Sequence, residues 1–443
     1  MKNYFFKHAL LPTGWVENVR INVDSHGLIS QLSVATRARY HDNAIDCAVP
    51  MLPNCHSHVF QRTMAGLTEY KTAKHDSFWS WRDLMYNYAN KIDANQLYHI
   101  ACYVYAEMLS AGFDSVCEFH YIHRDISNKD DTISMSQAIL KAANEVGIGL
   151  TFLPVLYTQS HCDGSPLSDL QQRFQLSVDD YCHLYRTLAD SLYAGQRLGI
   201  CFHSLRAVSV EQIHQVLNEL DDGQQPIHIH IAEQKPEIEQ IVTHFGKSPV
   251  ELLFAEFAVN EQWCLVHATH LNNQEIALIA NSKAVVGLCP LTEANLGDGV
   301  FPMPQFLQKK GVFAIGSDSN IVINPMAELQ MLEYSQRLTT QQRNICCEQN
   351  RSVASFLWNA VLKGGSRASG LSSSGLAVGN AANFMAIGDD SPLLTGLNGD
   401  DRFSVHLFCD AHLTQEIYLK GERQTKITAQ YRENYRKTLK SLR

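Results

Sequence analysis

Eight short apolar segments, each followed by a polar loop and a helix-like stretch, constrain the fold of this 443-residue chain most strongly. Continuous apolar strands that alternate with helices are typical of a parallel sheet that is buried on both faces. Eight such units over about 250 residues predict a (β/α)8 barrel of the TIM type, with a doubly wound sheet as the alternative. The segments are VPMLPNC (49–55), DSVCEFHY (114–121), GLTFLPVLY (149–157), RLGICFHS (197–204), PIHIHIAE (226–233), QWCLVHA (262–268), KAVVGLCP (283–290) and GVFAIGSD (311–318).

The helical patterns and the two chain ends complete the predicted architecture. Residues 1–48 alternate weakly and contain turn residues, and residues 375–390 and 403–424 have a strand-and-turn composition. We therefore expect a small β-sandwich built from both chain ends (1–48 and 370–443) around a barrel domain (49–369). The predicted helices include 95–112, 135–146, 210–220 and 352–369.

Composition limits the classes of function. Lysine and arginine number 36 against 45 acidic residues, and the resulting net charge of −9 argues against binding to nucleic acid or to an anionic membrane. Lys7 and Pro12 interrupt the N-terminal segment too early for a signal peptide, and no apolar stretch reaches the roughly 18 residues of a membrane span. Twelve cysteines without a CxxC pair are typical of reduced thiols. We expect a cytoplasmic protein that acts on a small molecule.

Side chains that bind metals lie at the ends of four predicted strands. Residues i and i+2 of a strand point to the same face, and barrel active sites lie at the carboxyl ends of the strands. Three imidazoles and one carboxylate predict a zinc site with an open coordination position. For each histidine alone, the alternative is a core residue, which is how we interpret His228. The candidates are His56 and His58 on strand 1, His230 and Glu233 on strand 5, His267 on strand 6 and Asp318 on strand 8.

Longer motifs around these residues resemble the amidohydrolase superfamily, in its deaminase branch. The resemblance covers the whole barrel, and it implies the barrel and the β-sandwich that the patterns predict. The most specific of these motifs are DSFWSWRDLMY and CPLTEANLGDG. The motifs are HSHVFQRTMAGLTE (56–69), DSFWSWRDLMY (76–86), EFHY (118–121), HSLRAV (203–208), HIHIAEQ (228–234), LVHATH (265–270), CPLTEANLGDG (289–299) and GSDSN (316–320).

The resemblance implies one divalent metal ion per chain, zinc, held by three histidines and one aspartate. Superfamily members with two metals usually carry a carboxylated lysine at the end of strand 4, and RLGICFHS has no lysine there. We therefore expect a mononuclear site. The implied ligands are His56, His58, His230 and Asp318.

Three residues are implied in the chemistry itself. Asp318 also accepts a hydrogen bond from the attacking water, and His267 resembles the superfamily histidine that orients or deprotonates that water. Glu233 resembles the glutamate that carries a proton to the leaving amine. The alternatives are a solvated loop acid for Glu233 and a core histidine for His267.

The resemblance also implies a substrate with two carboxylates. Arg206 follows strand 4, and Arg82 lies in the loop region after strand 1, where planar guanidinium groups hold carboxylates bidentately. Gln61, Tyr121 and His203 match the neutral contacts. The implied reaction is the hydrolytic deimination of N-formimidoyl-L-glutamate to N-formyl-L-glutamate and ammonia in histidine degradation, by an enzyme that we expect to be a homodimer.

Two other functions remain open from the sequence. One is a zinc-dependent deaminase of a cyclic amidine such as a purine or pyrimidine, which the pair Arg82 and Arg206 disfavours. The other is a non-catalytic barrel that serves as a binding protein, which predicts the loss of a metal ligand or of Glu233. We interpret TEANLGDG (292–299) as a loop, in which Gly297 and Gly299 predict a tight turn. No role for Thr292, Glu293 or Asn295 follows from the sequence.

Overall fold

The structure is a computed structural model that describes residues 2–71, 78–128, 130–371, 374–388, 391–409, 415–424 and 427–443, without the side chains of 78–80 and 415. The first two residues of the motif DSFWSWRDLMY therefore lie outside the described residues. Sixteen strands are found in this part of the chain. They are β1 (Lys2–Leu11), β2 (Gly14–Val23), β3 (Ile29–Ser33), β4 (Asn43–Pro50), β5 (Leu52–Ser57), β6 (Phe113–His120), β7 (Gly149–Leu156), β8 (Arg197–Leu198), β9 (Ile200–Phe202), β10 (Ile227–Ile231), β11 (Trp263–His267), β12 (Val285–Leu288), β13 (Val312–Ile315), β14 (Phe384–Ile387), β15 (Gln415–Leu419) and β16 (Glu422–Arg423).

Eight strands form the predicted parallel barrel. The hydrogen-bonded order is β5-β6-β7-β9-β10-β11-β12-β13, and β8 adds a short pair to β7. Every pairing within this sheet is parallel. A parallel bridge between Ser57 and Asp318 joins the carboxyl ends of the first and last segments and brings the two edges of the sheet together. The prediction of a TIM-type barrel is confirmed, and the doubly wound alternative is wrong.

Fourteen α-helices are found among the described residues, and several of them pack against strands of the barrel. The four predicted helices correspond to α2, α3, α5 and α12, with ends that differ by one residue at most. None of the described helices is both long enough and apolar enough to cross a bilayer. The helices are α1 (Phe78–Ala89), α2 (Ala94–Ala111), α3 (Ser134–Val146), α4 (Val178–Ala189), α5 (Val210–Leu220), α6 (Lys235–Phe245), α7 (Pro249–Glu256), α8 (Asn273–Ser282), α9 (Pro290–Leu296), α10 (Met303–Gln308), α11 (Pro325–Thr340), α12 (Val353–Ala368), α13 (Gly399–Phe408) and α14 (Ala429–Leu442).

A second sheet combines the two ends of the chain. Its order is β16-β15-β14-β4-β1-β2-β3, so a strand from the C-terminal part lies beside β4 from the N-terminal part. All of its pairings are antiparallel except that of β1 with β4. Both chain ends therefore contribute to one module, as the sequence predicts.

The strand interpretation is wrong for the start of the segment 403–424, whereas β15 and β16 lie at its end as predicted. Residues up to Phe408 belong to helix α13, in which Phe403 and Leu407 are buried four positions apart. The rings of Phe403 and Trp358 pack edge to face, with their centroids 5.3 Å apart. The apolar spacing here follows the helical repeat, which a short strand-like composition conceals.

Candidate active site

The three predicted histidine ligands converge at the carboxyl ends of the barrel strands. Nε2 of His56 lies 3.1 Å from Nε2 of His58 and 3.0 Å from Nε2 of His230. Oδ1 of Asp318 lies 3.5 Å from Nε2 of His56 and 3.4 Å from that of His58. All four side chains are almost fully buried. The arrangement therefore brings four donor atoms together from three separate strand ends.

The hydrogen bonds of the rings fix which nitrogen atoms face the centre of this cluster. Nδ1 of His58 donates to the carbonyl oxygen of Phe119 at 2.8 Å, and Nδ1 of His230 donates to that of His203 at 3.1 Å. The Nε2 lone pairs of both rings therefore point towards His56. Burial lowers the pKa of His56 to about 3, so the imidazole is neutral at pH 7. Neutral imidazoles whose lone pairs converge beside a carboxylate fit a divalent cation.

A glycine allows the last strand to approach the first closely enough to complete this cluster. A Cβ atom on Gly316 would lie 2.7 Å from Cβ of His56 and 2.8 Å from its carbonyl oxygen. Only glycine therefore fits at the start of the motif GSDSN. The backbone of Asp318, two residues later, has a φ of 46°, and that of His267 has a φ of 69°. A left-handed backbone conformation raises the conformational energy of a residue other than glycine, and such residues often lie at functional sites.

The three predicted catalytic side chains lie around one point. Nε2 of His267 lies 3.8 Å from Oε1 of Glu233 and 3.8 Å from Oδ2 of Asp318. Burial raises the pKa of Glu233 to about 7, which suits a group that gains and loses a proton near neutral pH. Burial opposes ionisation of Asp318, but the hydrogen bond with His56 and the surrounding histidines together outweigh burial and keep the pKa of Asp318 low. The site thus contains two carboxyl groups with widely separated pKa values.

A second glutamate holds the backbone that carries Glu233. Glu237, on the first turn of α6, accepts hydrogen bonds from the backbone N–H of Glu233 at 2.9 Å and of Ala232 at 3.1 Å. Ala232 has a φ of 51°, so these bonds stabilise a bend in the left-handed region. The position of the Glu233 carboxyl group therefore depends on a residue that the sequence did not single out.

Glu293 is a further residue that sequence reasoning missed. Its Oε1 lies 3.3 Å from Nδ1 of His267 and accepts a hydrogen bond from the backbone N–H of Cys289 at 2.8 Å. The segment TEANLGDG, interpreted as a loop, begins as helix α9, and this helix carries Glu293 to His267. The specific motif pointed to the segment, but only the fold shows which residue contacts the site.

The five predicted substrate-binding residues line the same pocket as the catalytic residues. Nε2 of Gln61 donates to the hydroxyl oxygen of Tyr121 at 3.0 Å, whereas Oε1 of Gln61 is buried and has no hydrogen-bond partner among the described residues. Nη1 of Arg206 donates to the carbonyl oxygen of Ser160 at 2.7 Å, which directs the guanidinium to one wall. Arg82 lies on the wall that faces the same space. Glu233, Asp318 and the two arginines thus line one pocket, in which Arg82 lies beside Tyr86.

The loop interpretation for Arg82 is wrong, because this residue lies in helix α1. Met85, Tyr86 and Ala89 on the same helix are buried at helical spacing, so packing against the barrel mouth stabilises a helix in the segment that we interpreted as a loop. The guanidinium carbon of Arg82 lies 5.4 Å from the centre of the Tyr86 ring, in cation–π distance.

The remaining histidine of strand 5 has the predicted structural position. Nε2 of His228 donates to the carbonyl oxygen of Ala368 at 2.7 Å, and the side chain is fully buried. Ala368 ends helix α12, so His228 links the barrel interior to that helix and lies apart from the metal cluster.

The fold and the cluster together define a metal-dependent hydrolase of the amidohydrolase type. The model of the Amidohydrolase family matches residues 48–409, and the chain belongs to this family. Among curated relatives, formimidoylglutamate deiminase of Pseudomonas aeruginosa is 41% identical over 430 residues, which cover 96% of this chain and 92% of the relative. An amidohydrolase from Brucella melitensis has a solved structure with a TM-score of 0.95 and 36% identity over 100% of both chains. An adenosine deaminase from Xanthomonas campestris with bound zinc shares the fold, with a TM-score of 0.82 and 19% identity over 99% of this chain and 98% of that chain.

Proposed function

We propose that this chain is a zinc-dependent enzyme that hydrolyses N-formimidoyl-L-glutamate to N-formyl-L-glutamate and ammonia. The observation that carries the proposal is that groups of opposite charge line one pocket. Glu233 and Asp318 lie beside His267, and Arg82 and Arg206 line the same pocket beside Tyr86 and Tyr157. A cationic amidine joined to two carboxylates has the complementary charge distribution.

The metal ion would bind to His56, His58, His230 and Asp318. A divalent ion held by this donor set acts as a Lewis acid that lowers the pKa of a bound water towards 7. Three histidines and a carboxylate suit zinc, and the identity with a formimidoylglutamate deiminase along 96% of the chain supports the same chemistry.

The side chains of the chain itself manage the protons. In the net reaction water adds to the amidine carbon, the carbon–nitrogen bond to the terminal nitrogen breaks, and that nitrogen leaves as ammonia. Glu233, with a pKa raised to about 7 by burial, takes one proton from the water and gives it to the leaving nitrogen. The second proton, left on the hydroxyl group of the adduct, passes to the Asp318 carboxylate as the carbon–oxygen double bond forms and the carbon–nitrogen bond breaks. His267 holds the attacking oxygen in place through Nε2, which lies between Glu233 and Asp318.

The two arginines and three neutral side chains of the pocket select the substrate. Arg206 and Arg82 bind the carboxylates through charge-assisted hydrogen bonds. Oε1 of Gln61, which is buried with no partner among the described residues, accepts a hydrogen bond from an amidine N–H. Tyr121, which lies beside Gln61, donates a hydrogen bond to the substrate, and the ring of His203 forms part of the pocket wall. A neutral purine or pyrimidine ring offers nothing for the two guanidinium groups, which disfavours a cyclic substrate.

We further propose that the enzyme is a cytoplasmic homodimer of histidine degradation in which residues 49–369 form the catalytic barrel and residues 1–48 and 370–443 the second module. The twelve cysteines are all free thiols, as reducing compartments maintain them. The pairing of β14 with β4 supports the two-part module. Sedimentation equilibrium of the purified chain tests the homodimer.

The test of the proposed reaction is ammonia release from a panel of substrates. The panel contains N-formimidoyl-L-glutamate, N-formimidoyl-L-aspartate, adenosine, cytosine and guanine. We expect the highest kcat/KM for N-formimidoyl-L-glutamate and formation of N-formyl-L-glutamate in equal amount with ammonia. A higher kcat/KM for one of the three ring compounds would support the cyclic amidine deaminase instead, and inactivity on all five would support the binding protein.

A further inference from the structure

Two tyrosines line the pocket beside Arg82 and Arg206 and have no part in the mechanism above. Tyr157 directly follows strand β7 and is 1% exposed, and Tyr86 lies on α1 and is 5% exposed. Tyr157 packs against the ring of His203 with centroids 4.5 Å apart. Its hydroxyl group therefore lies in the wall of the pocket beside Arg206, and packing holds the ring in place.

Gln171 holds both tyrosine hydroxyl groups. Its Nε2 donates to the hydroxyl oxygen of Tyr157 at 2.9 Å and to that of Tyr86 at 3.2 Å. Gln171 belongs to the 3-10 helix Asp169–Phe174 and is itself 5% exposed. An amide nitrogen carries two hydrogen atoms, so these two contacts use both of them.

The orientation of the Gln171 amide is fixed by its other end. Oε1 of Gln171 accepts a hydrogen bond from the backbone N–H of Ser168 at 3.1 Å and another from the Ser168 hydroxyl at 2.9 Å. A backbone N–H only donates, so the oxygen of the amide must face Ser168 and the nitrogen must face the tyrosines. Both tyrosine oxygens therefore act as acceptors towards Gln171. The two hydroxyl groups also interact with each other, and in this pair Tyr86 donates and Tyr157 accepts. The Tyr157 hydroxyl therefore keeps its own proton to donate elsewhere.

The electrostatic surroundings of Tyr157 favour a negatively charged acceptor. Burial raises the pKa of the Tyr157 phenol, but Arg206, Tyr86 and Arg82 together outweigh burial and leave the pKa of Tyr157 below its ordinary value. Among the described residues, no carboxylate forms an ion pair with Arg206, whose Nη1 donates to a carbonyl oxygen. A donor hydroxyl and a guanidinium that face one space are a suitable pair for a carboxylate.

We propose that the Tyr157 hydroxyl donates a hydrogen bond to one carboxylate of the substrate beside Arg206, and that Gln171 is the residue that orients it. Tyr157 is then a specificity-determining residue, and Gln171 is a positioning residue that acts through it. The identity of the carboxylate rests on the proposed function, whereas the anion-binding role of the hydroxyl does not.

The kinetic test compares three substrates: N-formimidoyl-L-glutamate, 4-formimidamidobutanoate, which lacks the α-carboxylate, and N-formimidoyl-L-norvaline, which lacks the γ-carboxylate. Tyr157→Phe should lower kcat/KM about 10- to 100-fold for the full substrate and for the analogue that keeps the recognised carboxylate. The other analogue should be turned over at the wild-type rate. Equal losses on all three substrates, or no loss on any, overturn the proposal.

Gln171→Glu is the second variant, because it keeps the acceptor for Ser168 but replaces the donor towards Tyr157 with an acceptor. The Tyr157 proton then turns to the glutamate, so the same substrate pattern is expected. In the Tyr157→Phe background, Gln171→Glu should change the ratio of kcat/KM between the full substrate and the analogue without the recognised carboxylate less than twofold. A full additional loss in the double variant would show that Gln171 does not act through Tyr157.

Binding of glutarate, measured by calorimetry, separates this inference from the proposed reaction. Glutarate carries two carboxylates and no amidine, and we expect at least tenfold weaker binding by Tyr157→Phe than by wild type. Tyr181→Phe is the matched control, because Tyr181 is equally buried but does not line the pocket. Tyr157-dependent glutarate binding without turnover of any formimidoyl compound would retain the anion site and reject the proposed reaction. Turnover with glutarate binding that Tyr157→Phe leaves unchanged would retain the reaction and reject the inference.

Discussion

Oε1 of Glu293 lies 3.3 Å from Nδ1 of His267, on the side of the ring opposite Glu233. The same oxygen accepts the backbone N–H of Cys289, so the carboxylate cannot rotate away without breaking that bond. A carboxylate at Nδ1 keeps the proton on that nitrogen and directs Nε2 towards the reacting atoms. Burial lowers the pKa of His267, but Glu233 and Glu293 outweigh burial and raise it above its ordinary value.

Replacement of Glu293 should therefore reduce kcat more than it changes KM. Glu293→Leu removes the acceptor at Nδ1, and the loss of such an outer partner typically costs about 10- to 100-fold in activity. Glu293→Gln keeps an acceptor oxygen and should cost less. Steady-state kinetics of both variants, with metal content measured in parallel, provide the check. Equal activity of Glu293→Leu and wild type would show that His267 needs no such partner.

Glu233→Gln should keep the bound metal and nearly abolish turnover. The amide has almost the same shape but cannot carry a proton, and general acid–base catalysis typically contributes about 10²–10⁴-fold. The measurements are kcat and zinc content by elemental analysis. Glu239→Gln, on an exposed turn of α6 six residues along the chain, is the matched control and should retain full activity. A near-normal kcat for Glu233→Gln would remove this residue from the mechanism.

The barrel and the histidine cluster could be predicted because both depend on strand ends. Apolar runs place each strand, and the parallel topology brings every carboxyl end to one mouth. His56 and His58 are two positions apart at such an end, so their convergence follows from strand geometry alone. The placement of Asp318 beside the histidines depends on one additional feature, the close approach of Gly316 to His56. This approach is visible only in the folded chain.

The supporting contacts could not be predicted, because they join distant parts of the chain. Gln171 contacts Tyr86 across 85 positions, through a short 3-10 helix that has no apolar repeat. Glu293 reaches His267 across 26 positions from helix α9, in a segment that reads as a loop. The helical state of α1 also depends on tertiary packing, since its buried face is formed only against the barrel mouth.

The purified enzyme should contain one tightly bound zinc ion per chain. Three converging imidazoles and Asp318 supply one complete donor set, and strand 4 offers no lysine to bridge a second ion. Chelation should abolish ammonia release and lower Tm, because an ion that binds only the folded state stabilises it by mass action. Addition of zinc should restore both. Two metal ions in an active chain, measured by elemental analysis, would contradict the mononuclear site.

Asp42 should make the stability of the second module depend on pH. Its carboxylate accepts hydrogen bonds from Nε of Arg20 at 3.0 Å and from the backbone N–H of Arg39 at 2.8 Å. Burial opposes ionisation, but these bonds outweigh it and keep the pKa of Asp42 below its ordinary value. The stabilisation is therefore complete above the unfolded pKa of about 3.9 and is lost as the pH falls through the folded pKa.

Asp42→Asn should lower the free energy of unfolding at pH 7 by about 1 kcal/mol, because the charge on the hydrogen-bond acceptor is lost. The difference between variant and wild type should shrink as the pH falls below about 4. Denaturant unfolding of both proteins between pH 3 and 8 gives the difference at each pH. A difference that stays constant over this range would mean that the charge on Asp42 contributes nothing.

Arg206→Met should lower kcat/KM for N-formimidoyl-L-glutamate by more than tenfold while metal content and Tm stay nearly unchanged. Arg206 is 7% exposed and lines the pocket, and removal of one partner from a desolvated charge pair typically costs about 2–5 kcal/mol. The net charge of −9 repels a dianion at long range, so short-range pairing has to supply the attraction.

Arg186→Met is the matched control, since Arg186 forms an exposed pair with Glu219 outside the pocket and should have little effect. The carboxylate assignment is examined with the two analogues that each lack one carboxylate. Arg206→Met should lose most of its rate on the full substrate and on one analogue, and little on the other. Arg82→Met should show a loss on the full substrate as well. If both arginine variants retain the wild-type ratio of rates among the three substrates, neither residue recognises a carboxylate, and a ring compound becomes the better substrate for this pocket.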